Sequence, residues 1–210
     1  MMVMRRWIPP EWLYTRPTVL NWLHIGGIFV PHTQTHDVEL ACLARHAKGR
    51  RLALEIGTYM GVSACAIAAS MAPDGRLFCV DPWVPRRGRE NPCLTICRRE
   101  LTRKGLLDRV EFVRAESRRA NEILPGAFDF AFIDGDHSLD GIKTDWEIVR
   151  HRLALGGIVC LHDSLVPLAE PWRRPPSVEY FAEVISRAQD FKMIDSCETL
   201  AVLKRVGSGT

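Results

Sequence analysis

Two groups of residues in this chain have the types and spacing to do chemistry. The first lies in Leu52-Ala53-Leu54-Glu55-Ile56-Gly57-Thr58-Tyr59-Met60-Gly61-Val62-Ser63, where an apolar run meets an acid, two glycines four apart and then an alanine-rich stretch. A strand, a glycine turn and a helix in that order present backbone N–H groups to a nucleoside cofactor at the carboxyl end of a sheet. A dinucleotide turn would carry three glycines as G-x-G-x-x-G. Here the third glycine is absent and Glu55 stands ahead of the first. A carboxylate there repels a pyrophosphate but can orient an ammonium, which points to a cofactor with an amino-acid end. The second group is Asp134, Asp136 and His137, followed downstream by His162 and Asp163. Both parts come directly after apolar runs, on the carboxyl edge where open α/β sheets bind ligands. Three converging carboxylates are costly unless they are protonated or neutralised by a cation. An imidazole with a pKa near 6.5 can take a hydroxyl proton at neutral pH. Each residue also has a purely structural alternative. Asp136 or Ser138 could cap a following helix, His137 could pin a loop, and His162 could face away from Asp163.

The elements needed to position these groups are legible in order. Apolar residues from Val38 to Ala47 share one helical face that closes at Gly49. Strands are expected over 51–56, 76–80, 110–114, 128–133 and 158–161. Helices are expected over 63–71, 94–104, 139–153 and 178–188, with turns at Pro73-Asp74-Gly75 and Gly156-Gly157. Residues 191–196 and 199–204 read as a closing hairpin. Alternating strands and helices predict a doubly wound, Rossmann-like α/β fold. Its sheet is expected to be seven-stranded and mostly parallel, with an antiparallel C-terminal strand and helices on both faces.

At 210 residues, 47% apolar and 25% charged, the chain is that of one globular domain. No apolar run approaches the ~18 residues of a membrane span. The start carries Arg5 and Arg6 but breaks at Pro9-Pro10 without a signal-peptide core, so a cytoplasmic protein is expected. Residues 1–35 hold Trp7, Trp12, Tyr14, Trp22 and Phe29. They are too apolar for a loose tail and are expected to form a cap or a homodimer contact. The catalytic domain is expected over 36–206, with a flexible tail at 207–210. The seven cysteines are irregularly spaced. Cys93 and Cys97, at i and i+4, lack a second Cys/His pair that would complete a metal site. The formal charge of +3 is uneven, because residues 86–119 hold eleven Lys/Arg against five Asp/Glu. Such a band could attract nucleic acid or an anionic substrate.

Glu55-x-Gly57-x-x-x-Gly61 with Asp81 closing the next strand resembles the class I S-adenosylmethionine-dependent methyltransferases. The stretch from Glu55 to Ala64 is close to that of the catechol-type, metal-dependent O-methyltransferases. Asp134-Gly135-Asp136-His137 and the segment Gly156 to Ser164 resemble a bacterial branch that includes enzymes acting on antibiotic sugars. The resemblance covers roughly 36–204 and implies S-adenosyl-L-methionine as cofactor. It implies that Gly57, Thr58 and Gly61 approach the methionine part, that Ser63 bonds its carboxylate, and that Tyr59 packs by the methyl donor. Asp81 would accept both ribose hydroxyls, while Glu116 and Ser117 would border the adenine. Asp134 and Asp163 match positions that hold Mg²⁺, and Ser164 stands where those relatives carry Asn or Asp. A hydroxyl is the poorer Mg²⁺ ligand. His137 matches a catalytic lysine of the catechol type, and Asp136 an acidic base of the sugar enzymes, with His162 a third candidate.

The function these residues predict is O-methylation of a small-molecule hydroxyl, such as a natural product or sugar, with a divalent metal as an open element. The rival readings are an RNA or DNA methyltransferase using the band at 86–119, and a cofactor-binding module without catalysis. No Asn/Asp-Pro-Pro-Tyr/Phe motif for amino methylation follows strand four, which weighs against nucleic acid. Paired arginines at 86/87 and 173/174, Trp172 and the loop from Trp83 to Arg89 are the candidate acceptor contacts.

Overall fold

A computed structural model describes residues 13, 16–85 and 88–207. The expected roles of Trp7, Trp12, Tyr14, Arg86, Arg87 and positions 208–210 fall outside the described residues. Seven strands form one sheet: β1 (Leu52–Ile56), β2 (Arg76–Val80), β3 (Val110–Val113), β4 (Phe128–Ile133), β5 (Leu153–Leu161), β6 (Phe191–Cys197) and β7 (Leu200–Arg205). Their order is β3-β2-β1-β4-β5-β7-β6. The first five are parallel, β7 runs antiparallel to β5, and β6 runs antiparallel to β7. The strand order reverses between β1 and β4, which opens a crevice at their carboxyl ends.

The helices with described bounds are α1 (Pro17–Ile25), α2 (Asp37–Ala47), α3 (Val62–Ser70), α4 (Pro92–Arg103), α5 (Ser117–Ala120), α6 (Leu139–Arg152) and α7 (Pro176–Glu183). Alternation along the strands divides the core in two. Ala53, Leu77, Cys79, Phe130, Phe132 and Cys160 pack under α1 to α4 on one face. Leu54, Ile56, Ala131, Ile133, Val159 and Leu161 pack with α5 to α7 on the other. Short polar residues set the helix starts. The Asn91 side chain accepts the Cys93 N–H at 2.9 Å ahead of α4, and Ser138 Oγ accepts the Gly141 N–H at 3.1 Å ahead of α6. At α2 the Glu39 carboxylate reaches back to the His36 N–H, 3.0 Å away.

The expected strand at 158–161 is longer, beginning at Leu153 directly after α6. Leu153 is buried against Phe128, and the ladder slips between Phe128 and Phe130 while Gly156 takes φ +79°. The glycine pair is therefore a bulge inside β5 rather than a turn before it. The last helix also stops early, at Glu183, and a 3₁₀ turn, Ile185–Arg187, replaces its expected end.

Helix α1 lies against α4. Leu20 and Phe29 are fully buried, His24 Nε2 lies 2.8 Å from Glu100 Oε1, and Arg99 donates to Asn21 at 3.2 Å. Trp22 and Ile25 on its outer side are exposed. No described helix is long and apolar enough to cross a membrane.

Candidate active site

The crevice is a cavity of about 910 Å³ lined by the ends of β1, β2, β3 and β4. Gly57, Thr58, Tyr59, Ser63, Asp81, Glu116, Ser117, Asp134, Asp136 and His137 all face it. The fold thus gathers eight of the expected cofactor residues with both expected catalytic ones. Glu55 and Gly61 stand behind its wall, and His162, Asp163 and Ser164 are not among the lining residues.

Gly57 carries φ +90°, and a Cβ there would collide with the backbone carbonyl of Asp134. The turn after β1 must press against the end of β4, so glycine is required by close approach as well as by backbone angle. The second glycine serves a different end. Gly61 takes φ +79° at the start of α3, and its missing Cβ leaves room for Cys97 Sγ from α4. Its missing Cβ therefore serves the packing of α3 against α4. Cys93 and Cys97 are buried thiols that belong to this seam, and neither joins a described group able to hold a metal.

Asp81 sits at the end of β2 with both carboxylate oxygens aimed at the turn. Oδ2 accepts the Tyr59 N–H and Oδ1 accepts the Trp83 N–H, each at 2.9 Å. Trp83 Nε1–H donates to the Tyr59 carbonyl at 2.9 Å. Tyr59 and Trp83 hold φ of +49° and +33°, so two non-glycine residues are fixed in left-handed backbone around one carboxylate. Burial raises the Asp81 pKa above its ordinary value. The remaining lone pairs of a carboxylate cradled in this way suit a pair of ribose hydroxyls.

Glu55 is fully buried beneath α3. It pairs across the ladder with Cys79, whose thiol donates to Oε2 at 3.4 Å. Its Oε1 has no hydrogen-bond partner, nor does the Thr58 hydroxyl. Burial pushes the Glu55 pKa up to about 7, partly opposed by Ser63, Thr58 and Cys79.

The second group forms a chain of alternating acids and imidazoles. Asp134 Oδ1 lies 3.4 Å from His137 Nε2 and 2.9 Å from His162 Nδ1, the latter at ion-pair distance but outside hydrogen-bond geometry. His137 Nδ1 lies 3.9 Å from Asp163 Oδ2, and Asp163 lies 3.8 Å from Arg173. On its far side His162 Nε2 meets Glu39 Oε2 at 3.3 Å. Glu39 also accepts the N–H and hydroxyl of Thr199, at 3.1 and 2.7 Å. Although burial opposes it, this pair of acids raises the His162 pKa to about 10. His137 is also raised, chiefly by Asp134, and Asp134 is lowered by both imidazoles against its burial. Asp163 holds φ +47° at the end of β5, another strained position beside the site.

Asp136 has a different task. Its carboxylate accepts the Ser138 N–H at 3.0 Å and the Ser138 hydroxyl at 2.7 Å, and these bonds lower its pKa. That locks the turn into α6 and makes it a weak base. The Mg²⁺ set implied by resemblance is not assembled either. Ser164 is buried, and its hydroxyl donates to the His162 carbonyl at 3.2 Å. The donors that do converge around Asp134 are His137 and His162, two nitrogens where Mg²⁺ takes oxygens. Both imidazoles beside Asp134 have pKa values raised by it.

Sequence reasoning missed three contributors. Residues His32, Thr33 and Gln34 from the N-terminal segment close one side of the cavity, with the His32 ring edge-on to Tyr59 at 6.2 Å. Glu39 sits far from the site in sequence, so nothing local announces its bond to His162. Asp145 lies on α6 facing the cavity, 2% exposed. Its one sequence signal is an acid on the inward stripe shared by Ile142 and Val149.

Comparison with known proteins agrees with this geometry. A family model described as a methyltransferase domain matches residues 54–164, just over half of the chain. No curated protein matches significantly. Among solved structures, a cofactor-bound protein from MTB is 19% identical, with TM-score 0.68, covering 98% of this chain and 100% of its own. An O-methyltransferase from Bacillus cereus, in complex with SAH, is 19% identical, with TM-score 0.66 and coverage of 95% and 93%. An rRNA methylase from Streptococcus thermophilus is 12% identical, with TM-score 0.58 and coverage of 85% and 100%. At these identities the structures share the fold. The family match, resting on the stretch that runs from the glycine turn to the end of β5, shows that the chain belongs to the methyltransferase domain family, the class I S-adenosylmethionine-dependent methyltransferases.

Proposed function

We propose that the enzyme transfers the methyl group of S-adenosylmethionine to a hydroxyl of a small molecule, with His137 as the base. The observation that carries this reading is the His137 imidazole at the cavity wall, held between Asp134 and Asp163 and continuous with the Gly57–Asp81 turn. The acceptor hydroxyl gives its proton to a His137 ring nitrogen. S-adenosylmethionine, which Gly57, Ser63 and Asp81 would hold, would supply the electrophilic methyl carbon for that oxygen and would take up the carbon–sulfur electron pair on leaving as S-adenosylhomocysteine. Asp134 stabilises the imidazolium so formed. His162, charged between Glu39 and Asp134, prevents the buried acids from repelling one another. Most of the rate comes from alignment of oxygen, carbon and sulfur in a site partly shielded from water.

The basic band favours a small acceptor over nucleic acid, because several of its described arginines are engaged within the chain. Arg98 pairs with Glu90 at 2.8 Å, Arg103 with Glu100 at 2.5 Å and Arg118 with Asp140 at 3.3 Å. Arg109 donates to the backbone carbonyls of Ala72 and Gly75. Arg173, beside Asp163 and more than half exposed, is a candidate contact for an anionic group on the acceptor. The test is transfer of labelled methyl to a panel of phenols, catechols and sugars, with and without a chelator. Turnover that survives chelation and is lost in His137→Gln is expected. Turnover abolished by chelation and restored by Mg²⁺ would overturn the imidazolium reading.

A further inference from the structure

Helix α2 and the edge strand β6 bring a cysteine, a histidine and an aspartate together, and none of the three lines the cofactor cavity. Cys42 and His46 stand at i and i+4, so one face of α2 presents both. Asp195 meets them from β6, its Oδ2 lying 2.8 Å from His46 Nε2 and accepting the Cys42 thiol at 3.9 Å. One donor atom from each lies within 4.8 Å of the other two. A tetrahedral zinc ion spaces its ligand atoms about 3.3–3.8 Å apart, given bonds of about 2.0–2.3 Å. Small side-chain rotations therefore separate this cluster from that geometry. The cluster is also reached from solvent. Arg45 has a side chain that is 60% exposed, yet its guanidinium donates to Asp195 and, at 3.5 Å, to Cys42 Sγ. A solvent-facing cation thus already touches both the sulfur and the carboxylate. His46 and Arg45 hold the Asp195 pKa down to about 2, so the acid is ionised.

We propose that Cys42, His46 and Asp195 form a zinc site that clasps α2 to β6, with the Arg45 guanidinium holding the seat until the ion displaces it. A thiolate, an imidazole and a carboxylate suit borderline-soft Zn²⁺, whereas Mg²⁺ takes oxygens. Burial pushes the Cys42 thiol up to about 11, so binding converts it to the thiolate and releases its proton to solvent. Arg45 is exposed enough to swing outward. The fourth corner falls to water or to Cys197, which lies two residues beyond Asp195 on the same side of β6 and packs against the core cluster containing Cys42. The clasp fixes the helix that carries Glu39, the acid behind His162.

Titration of the full chain with Co²⁺ under reducing conditions, followed by competition with Zn²⁺, tests this. Co²⁺ is expected to bind with a thiolate-to-metal charge-transfer absorption that stoichiometric Zn²⁺ abolishes and excess Mg²⁺ leaves in place. The other described groups able to hold a metal, Asp134–His137–His162 and His36–Glu39–Glu198, contain no cysteine, so the thiolate band separates this site from them. His46→Gln and Asp195→Asn are each expected to weaken binding at least about 10-fold, no less than the loss of a ligand's supporting bond does. Arg45→Gln, at an exposed position, is expected to tighten it about 3-fold by removing the competing cation. Circular dichroism checks that each variant is folded. No binding, Co²⁺ bound without a thiolate band, or displacement by Mg²⁺ overturns the proposal. So does an affinity unchanged in folded His46→Gln and Asp195→Asn chains, or weakened in Arg45→Gln.

Discussion

Glu55 offers a sharp test of the buried wall behind the cofactor turn. Its folded pKa stands at about 7 against an ordinary 4.5, with burial as the main cause. A carboxyl raised in this way stabilises the fold through its protonated form. The contribution is complete below pH 4.5 and is lost as pH climbs through about 7. At about 1.36 kcal/mol per pH unit the full difference is about 3 kcal/mol, undiscounted because the group is fully buried. Glu55→Gln keeps the shape and removes the titration. Urea unfolding of wild type and variant at pH 5, 7 and 8.5 isolates the effect, since Asp81, Asp145 and His162 titrate alike in both. The wild type is expected to lose about 2–3 kcal/mol relative to Glu55→Gln between the extremes. Parallel stability curves would refute the reasoning and mean that Glu55 stays ionised in the fold.

Two further outcomes follow from the same geometry. Gly57→Ala should cost more than about 3 kcal/mol, combining left-handed backbone strain of about 1–2 kcal/mol with a collision against Asp134. A fall of more than about 6 °C in melting temperature would report it. Gly49→Ala, at φ +73° with nothing within 4 Å, should cost the backbone term alone; equal losses would contradict the close approach. For catalysis, His137 must be neutral to accept a proton, and its pKa is raised above 6.5 by Asp134. Hence kcat/KM should rise with pH through a value above 6.5, and His137→Gln should lower it by about 10²–10⁴-fold and remove that limb. An unchanged acid limb in the variant would assign the base elsewhere.

The turn and the residues it brings to the cavity were legible in the sequence because strand, glycine and acid lie within one short stretch, and Asp81 closes the next strand in register. The sheet was legible because its parallel strands are apolar runs punctuated by turns. What was hidden is what tertiary contact decides. Gly61 has the form of a cofactor glycine, yet its space is filled by Cys97 from another helix. Asp136 has the form of a base, yet its oxygens are occupied two residues away by Ser138. His162 becomes a cation only because Glu39 approaches from α2, 123 residues distant. The Gly156-Gly157 pair has the form of a turn, but its bulge follows from the pairing of Leu153 with Phe128.

The central claim is that this crevice holds S-adenosylmethionine through the carboxylate at the end of β2. Calorimetry of S-adenosylhomocysteine against wild type and Asp81→Ala tests it most directly. Saturable one-to-one binding by the wild type, lost or weakened at least about 10-fold in a folded Asp81→Ala chain, is the predicted result. Equal affinity in both proteins, or no binding in either, would contradict it.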